Sequence, residues 1–125
     1  MSSEDSTRAY RDLIVWQRAM ELVSTAYTLS KRFPREEQYG LTSQVQRAAV
    51  SVPANIAEGQ GRESSKAFVN HLGIARGSLA EVDTLLLVAV RLGYLAEAEL
   101  TELNGQIIEI RRLLRGLIRS LEARL

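Results

Sequence analysis

Residues 100–121 read LTELNGQIIEIRRLLRGLIRSL, and the spacing inside this stretch decides the fold. Leu100, Leu103, Ile107, Ile110, Leu114, Leu117 and Leu121 recur at alternating intervals of three and four. That interval keeps the side chains on one face of an α-helix and matches the seam of left-handed helix bundles. Glu97, Glu99 and Glu102 gather at the N-terminal end and arginines towards the C-terminal end. Both biases suit the helix macrodipole. The pattern predicts a helix over 96–121.

The same reading extends upstream. A helix over 64–92, capped by Ser64 or Ser65 and stopped at Gly93-Tyr94, carries the seam Phe68, Leu72, Ala75, Leu79, Val82, Leu86 and Ala89. Before it, Thr42 is the expected N-cap of a helix to Glu58, with Gly59-Gln60-Gly61 available for a left-handed C-terminal cap. Pro53 lies inside this helix and removes one backbone hydrogen bond, which predicts a kink or local break there. The first helix is expected from Asp12 to about Phe33-Pro34, with Val15, Trp16, Ala19, Met20, Leu22, Val23, Ala26, Tyr27 and Leu29 on one broad arc. Four helices and three short links, with no strand-like alternation, predict an all-α, up-down-up-down four-helix bundle with a kink at Pro53. Residues 1–11 read as a disordered or frayed N-terminus and 12–125 as one domain.

Composition bounds the chemistry. The 125 residues contain no cysteine, which removes disulfides, thiolate metal sites and thiol catalysis. The first residues are polar and acidic, unlike a signal peptide, and no apolar run is long enough to span a membrane, so no membrane partner is expected. Sixteen basic residues against fifteen acidic ones conceal a local imbalance. Residues 63–110 carry three basic and seven acidic groups, whereas 111–125 carry five and one. Arg111, Arg112, Arg115 and Arg119 share one arc of the last helix, away from the leucine seam, which is a geometry suited to phosphate. A solvated helix end, or ion pairs to the acidic third helix, would explain the same residues. No aromatics interleave with them, so base stacking is not indicated.

The third helix also has a second apolar seam: Ile74, Leu85, Val88, Leu92 and Leu95. Its stretch 85–90 is therefore apolar all round, more than one bundle core can cover. Leu85, Leu87, Val88 and Val90 are accordingly the expected surface for association with further copies of the chain. Gly73 and Gly77 each cost about 1 kcal/mol relative to alanine inside a helix. Close approach of the small-residue-rich second helix is the expected compensation.

Polar residues mark the remaining candidate site. Gln44, Arg47, Ser51, Asn55 and Glu58 form a stripe on the second helix, and His71, Ser78 and Glu81 stand on the third. A structural inter-helix hydrogen-bond network is the leading reading, because an unpaired buried polar group costs about 1–3 kcal/mol. A ligand-binding or catalytic role, with Glu58 and Glu81 as paired carboxylates, stays open beside it. The single histidine lacks the Glu-x-x-His partner of ferritin-like metal sites, and no serine stands in a G-x-S-x-G elbow. No metal, cofactor or enzymatic activity is expected.

Three segments resemble a known family: YRDLIVWQRAMELV, then FPREEQYGLTSQVQRAAVSVPANIAEGQGR, then FVNHLGIARGSLAEVDTLLLVAVRLGYL. The chain is similar, from Tyr10 to Leu95, to the bacterial four-helix-bundle or 23S rRNA intervening-sequence protein family, above all in L-T-S-Q-x-x-R-A-A-x-S-x-P-x-N-I-A-E-G and G-S-L-A-E. The fourth helix matches only as an amphipathic pattern. The resemblance implies a cytosolic bundle assembling as a ring-like homopentamer, related to accessory variability proteins of diversity-generating retroelements that bind nucleic acid and a reverse transcriptase. It places Gln44, Arg47, Ser51, Asn55, Glu58 and Glu81 among the characteristic polar positions, without assigned chemistry. The expected role is a non-enzymatic, oligomeric interaction protein. The alternative is an RNA- or DNA-binding accessory factor working through the arginine stripe, with nucleic acid or a nucleic-acid enzyme as its partner.

Overall fold

A computed structural model describes residues 8–125, and every described helix is α or 3-10. Four α-helices carry the fold: α1 (Ile14–Ser30), α2 (Leu41–Gln60), α3 (Ser65–Arg91) and α4 (Thr101–Glu122). Short 3-10 turns at Ala9–Asp12, Arg35–Glu37 and Glu97–Leu100 precede α1, α2 and α4. Each helix packs on the next in sequence, and α4 returns beside α1, so the four make a square with α1 and α3 on one diagonal. This is the expected four-helix bundle, and its most extensive contact joins α2 to α3.

The alternating seams form the core. On α4 and the turn before it, Leu100, Leu103, Ile107, Ile110, Leu114 and Leu121 are buried, with Leu117 half-buried. They meet Leu72, Leu79, Val82 and Leu86 of α3, Leu22 and Ala26 of α1, and Val45, Val52 and Ile56 of α2. Each fully buried leucine or isoleucine stabilises the fold by roughly 1.5–3 kcal/mol relative to exposure.

Several helix ends differ from expectation. Asp12, the expected start of the first helix, closes the 3-10 turn instead, and the N-cap of α1 is Leu13 with no side-chain hydrogen bond. The expected frayed segment covers 1–11; residues 1–7 lie outside the described residues, while Tyr10 in the turn packs edge-on against Trp16 with centroids 5.3 Å apart. Gly40, not Thr42, is the N-cap of α2, and the Glu37 carboxylate accepts the Leu41 N–H at 3.1 Å in place of a capping hydroxyl. The helix then runs on through buried Pro53 to Gln60 without a break. Gly61 keeps a right-handed φ of −73°, so the expected left-handed cap is absent; the Arg62 N–H instead reaches the Gly59 carbonyl at 3.1 Å. Ser64 caps α3 by accepting the Ala67 N–H at 3.0 Å. That helix ends in a Schellman arrangement, with the Tyr94 N–H on the Ala89 carbonyl and the Gly93 N–H on the Val90 carbonyl. Gly93 takes φ +82°, a conformation that strains any other L-residue.

The glycine expectation on α3 is overturned. A Cβ added at Gly73 or Gly77 would meet nothing within 4 Å, because both residues point away from the core. Close helix approach occurs at Gly59 instead: a Cβ there would lie 2.7 Å from the Cβ of His71 and 2.9 Å from Cδ1 of Phe68. The α2–α3 contact therefore depends on the glycine that the sequence presents as a helix stop.

Candidate functional site

The tight α2–α3 crossing at Gly59 brings two polar stripes face to face. Ser51 and Ser78 touch through their hydroxyls at 2.8 Å. Asn55 spends its amide N–H groups on the Ser51 carbonyl at 2.9 Å and the Ser51 hydroxyl at 3.0 Å. Its Oδ1 remains as acceptor towards Nδ1 of His71 at 3.2 Å, so Nδ1 is the donor in this contact. Nε2 then faces the Glu58 carboxylate at 4.0 Å, and Glu58 accepts from Arg62 at 3.1 Å. A chain of side chains thus runs from Ser78 through Ser51, Asn55 and His71 to Glu58.

The other three residues of the candidate set lie outside this chain. Gln44, Arg47 and Glu81 line an open cleft of about 410 Å³ with Ala48, Ser51 and Ser78. Glu58 and Glu81 are not a carboxylate pair. The Ser51–Ser78 contact sets Glu81 level with the Arg47–Ala48 turn of α2, ten residues from Glu58, which is about 15 Å along a helix. General acid–base chemistry between the two carboxylates has no geometric support. Among the described residues no group of three His, Asp or Glu side chains gathers to hold a metal ion.

On α4, Arg111, Arg112, Arg115 and Arg119 are all exposed. The first three surround Ile108, itself exposed, along a shallow depression of about 170 Å³. None of the four takes part in an ion pair among the described residues, so the ion pairs to α3 that the sequence allowed do not form. The α4 acid nearest the stripe, Glu109, is taken by Arg18 of α1 at 2.7 Å.

The proposed association surface divides. Leu87 and Val88 are exposed, whereas Leu85 and Val90 are half-buried against the core. Helical rotation explains the split: Val90 turns towards the core seam and Leu85 towards α2. Ile74 and Leu92, from the second apolar seam, are also exposed, and Leu95 is buried.

A latch at the end of the bundle escaped sequence reading. Glu37 Oε2 accepts from the Tyr94 hydroxyl at 2.8 Å while Oε1 holds Leu41 N–H, so one carboxylate ties the α1–α2 link to the α3–α4 link. The Leu41 N–H first, and then the Tyr94 hydroxyl, hold the Glu37 carboxyl below the usual carboxylate range. The same bond pushes the Tyr94 phenol up, since ionising it would set two negative charges together. Phe33 packs on the Tyr94 ring with centroids 5.8 Å apart. A second missed contact joins α1 to α2: Gln46 donates to the hydroxyl of buried Ser30 at 3.2 Å.

Fold and surfaces together define a small helical bundle with one polar inter-helix seam, an arginine-lined helix and an uncovered apolar face. The chain belongs to the 23S rRNA-intervening sequence protein family, whose profile matches residues 11–116. A crystal structure from Bacteroides thetaiotaomicron VPI-5482, described as a protein with unknown function from the S23 ribosomal protein family, is similar with a TM-score of 0.76. The two sequences are 26% identical, and the likeness covers 84% of this chain and 98% of that one. No curated protein matches the chain. No helix among the described residues is long and apolar enough to cross a membrane.

Proposed function

We propose that this protein is a non-catalytic, cytoplasmic building block that associates with copies of itself through the outward face of α3. The assembly then presents a repeated surface to a macromolecular partner. One observation carries the reading. On the face of α3 turned away from the core, Leu87 and Val88 are 49% and 38% exposed, and about 15 Å back along the helix Gly77 is a position where an added side chain meets open space. Glycine in a helix interior costs about 1 kcal/mol, and a flat apolar strip left in water invites association. A second copy packed on Leu87 and Val88 would take that strip out of water, and close approach along the same helix would offset the cost of Gly77. Met20, Tyr27 and Val50 form another exposed apolar area on the α1–α2 side of the bundle. Two unlike patches on opposite sides suit head-to-tail contacts, which make a ring where the rotation between copies closes, and five subunits is the number that family resemblance implies. Light scattering after size exclusion on Leu87→Glu and Val88→Glu tests the face: both variants should fall to smaller species, and an unchanged mass overturns it.

The arginine stripe supports a second reading, an accessory factor that binds RNA or DNA or accompanies a nucleic-acid enzyme. Four exposed guanidiniums on a rigid helix, without acid partners among the described residues, would be repeated in every subunit of an assembly. Structured RNA titrated across a salt series should then lose affinity steeply, and removing Arg111, Arg112, Arg115 and Arg119 should flatten the dependence. Affinity indifferent to those substitutions contradicts this reading.

A further inference from the structure

The cleft between α2 and α3 holds two opposite charges that do not neutralise each other. From the Ser51–Ser78 contact, four residues back along α2 lead to Arg47 and three residues on along α3 lead to Glu81. The two side chains therefore stand across the cleft at one level. Both are exposed, and neither belongs to an ion pair among the described residues. Buried Ala48 forms the floor between them, the two serine hydroxyls close one end, and Gln44 stands one turn beyond Arg47.

The donor and acceptor inventory narrows what fits. Ser51 and Ser78 own two hydroxyl protons and use one between them, while Ser51 Oγ also accepts from Asn55. One hydroxyl proton at the end of the cleft is left to donate outwards. With the Arg47 guanidinium and the Gln44 amide it makes a donor set for a carboxylate. Glu81 on the opposite wall is an acceptor for an ammonium group. A plain anion would be repelled by Glu81 and a plain cation by Arg47, whereas a molecule carrying both charges satisfies both walls. At about 410 Å³ the cleft falls in the size range of small-molecule sites.

We propose that the α2–α3 cleft binds a small zwitterion of the amino-acid class. Its carboxylate lies against Arg47 and the Ser51–Ser78 hydroxyls, and its ammonium group against Glu81. The Asn55–His71 chain behind Ser51 acts as a positioning element that fixes the serine hydroxyl. The proposal does not rest on self-association: Leu87 is turned away from Ser78 and Glu81, and Val88, on the same side of α3 as Glu81, lies two turns or about 10 Å further along the helix.

Ligand-observed saturation-transfer NMR on the whole protein tests the proposal and tolerates an assembly of any size. Glycine, β-alanine and γ-aminobutyrate carry the same two charges at increasing separation; acetate and methylammonium carry one each. At least one zwitterion should bind saturably at millimolar concentration and better than either single-charge probe. Arg47→Ala and Glu81→Gln should each weaken it about tenfold or more, with Arg47→Lys in between. Circular dichroism on the same variants checks that these exposed positions leave the fold intact. Equal binding of acetate and the zwitterions overturns the proposal. So does zwitterion binding that ignores either substitution, and so does absence of binding by all three zwitterions.

Discussion

Replacing Gly59 with alanine sets two opposing effects at one position. Alanine is the better helix former, and the gain from that alone is at most about 1 kcal/mol. The new methyl group, however, would lie 2.7 Å from the Cβ of His71, 2.9 Å from Cδ1 of Phe68 and 3.3 Å from the Phe68 carbonyl. The first and third of these atoms cannot rotate away, since they move only with the α3 backbone. Relieving the clash means separating α2 from α3 at their tightest crossing, and overpacking of this kind costs about 1–3 kcal/mol. Separation would also stretch the neighbouring Asn55–His71 hydrogen bond. The net expectation is a loss of about 1–2 kcal/mol, which a domain of this size registers as a fall of several degrees in melting temperature. Gly105→Ala is the matched control, because a Cβ at that exposed position of α4 meets nothing within 4 Å and should stabilise by up to about 1 kcal/mol. Urea denaturation at one fixed protein concentration compares the two variants with the parent. Gly59→Ala unchanged or more stable than the parent would refute the close-approach argument.

Acid should open the Glu37 latch. Its carboxyl is held below its ordinary value in the folded protein, so its contribution is present above the unfolded pKa and lost as pH falls through the depressed folded one. Denaturation curves should therefore show a constant stability gap between the parent and Glu37→Gln above about pH 5 that closes in stronger acid; a gap that widens on acidification contradicts this. Asn55→Ala removes the partner of both the Ser51 hydroxyl and the His71 ring nitrogen. It should cost about 1–3 kcal/mol in equilibrium unfolding, and a neutral result would mean that the seam is hydrated rather than bonded.

The bundle was legible because its information is local. Intervals of three and four along 68–89 and 100–121 specify buried faces without knowledge of any partner, and those faces form the core. The polar stripe was legible for the same reason, as periodicity. Which of its members bond was not, because that depends on the axial register between α2 and α3. The register joins Ser51 to Ser78 and Asn55 to His71, and leaves Arg47 and Glu81 facing an open cleft. Glu37 and Tyr94 are 57 positions apart and meet only when two inter-helix links converge at one end of the bundle. No periodic signal encodes that meeting. Gly59 carried a local signal, but Gly61 two residues on made both look like a stop. Gly73 and Gly77 had the spacing of a contact motif, yet their rotation on α3 turns them away from α2.

Self-association through α3 is the central claim, and the absolute mass of the unmodified protein in solution tests it most directly. Light scattering on-line with size exclusion, over a dilution series, should return a multiple of the 13.9 kDa chain mass. A mass of one chain at every concentration would contradict the account, because Leu87 and Val88 would then face water with nothing to cover them.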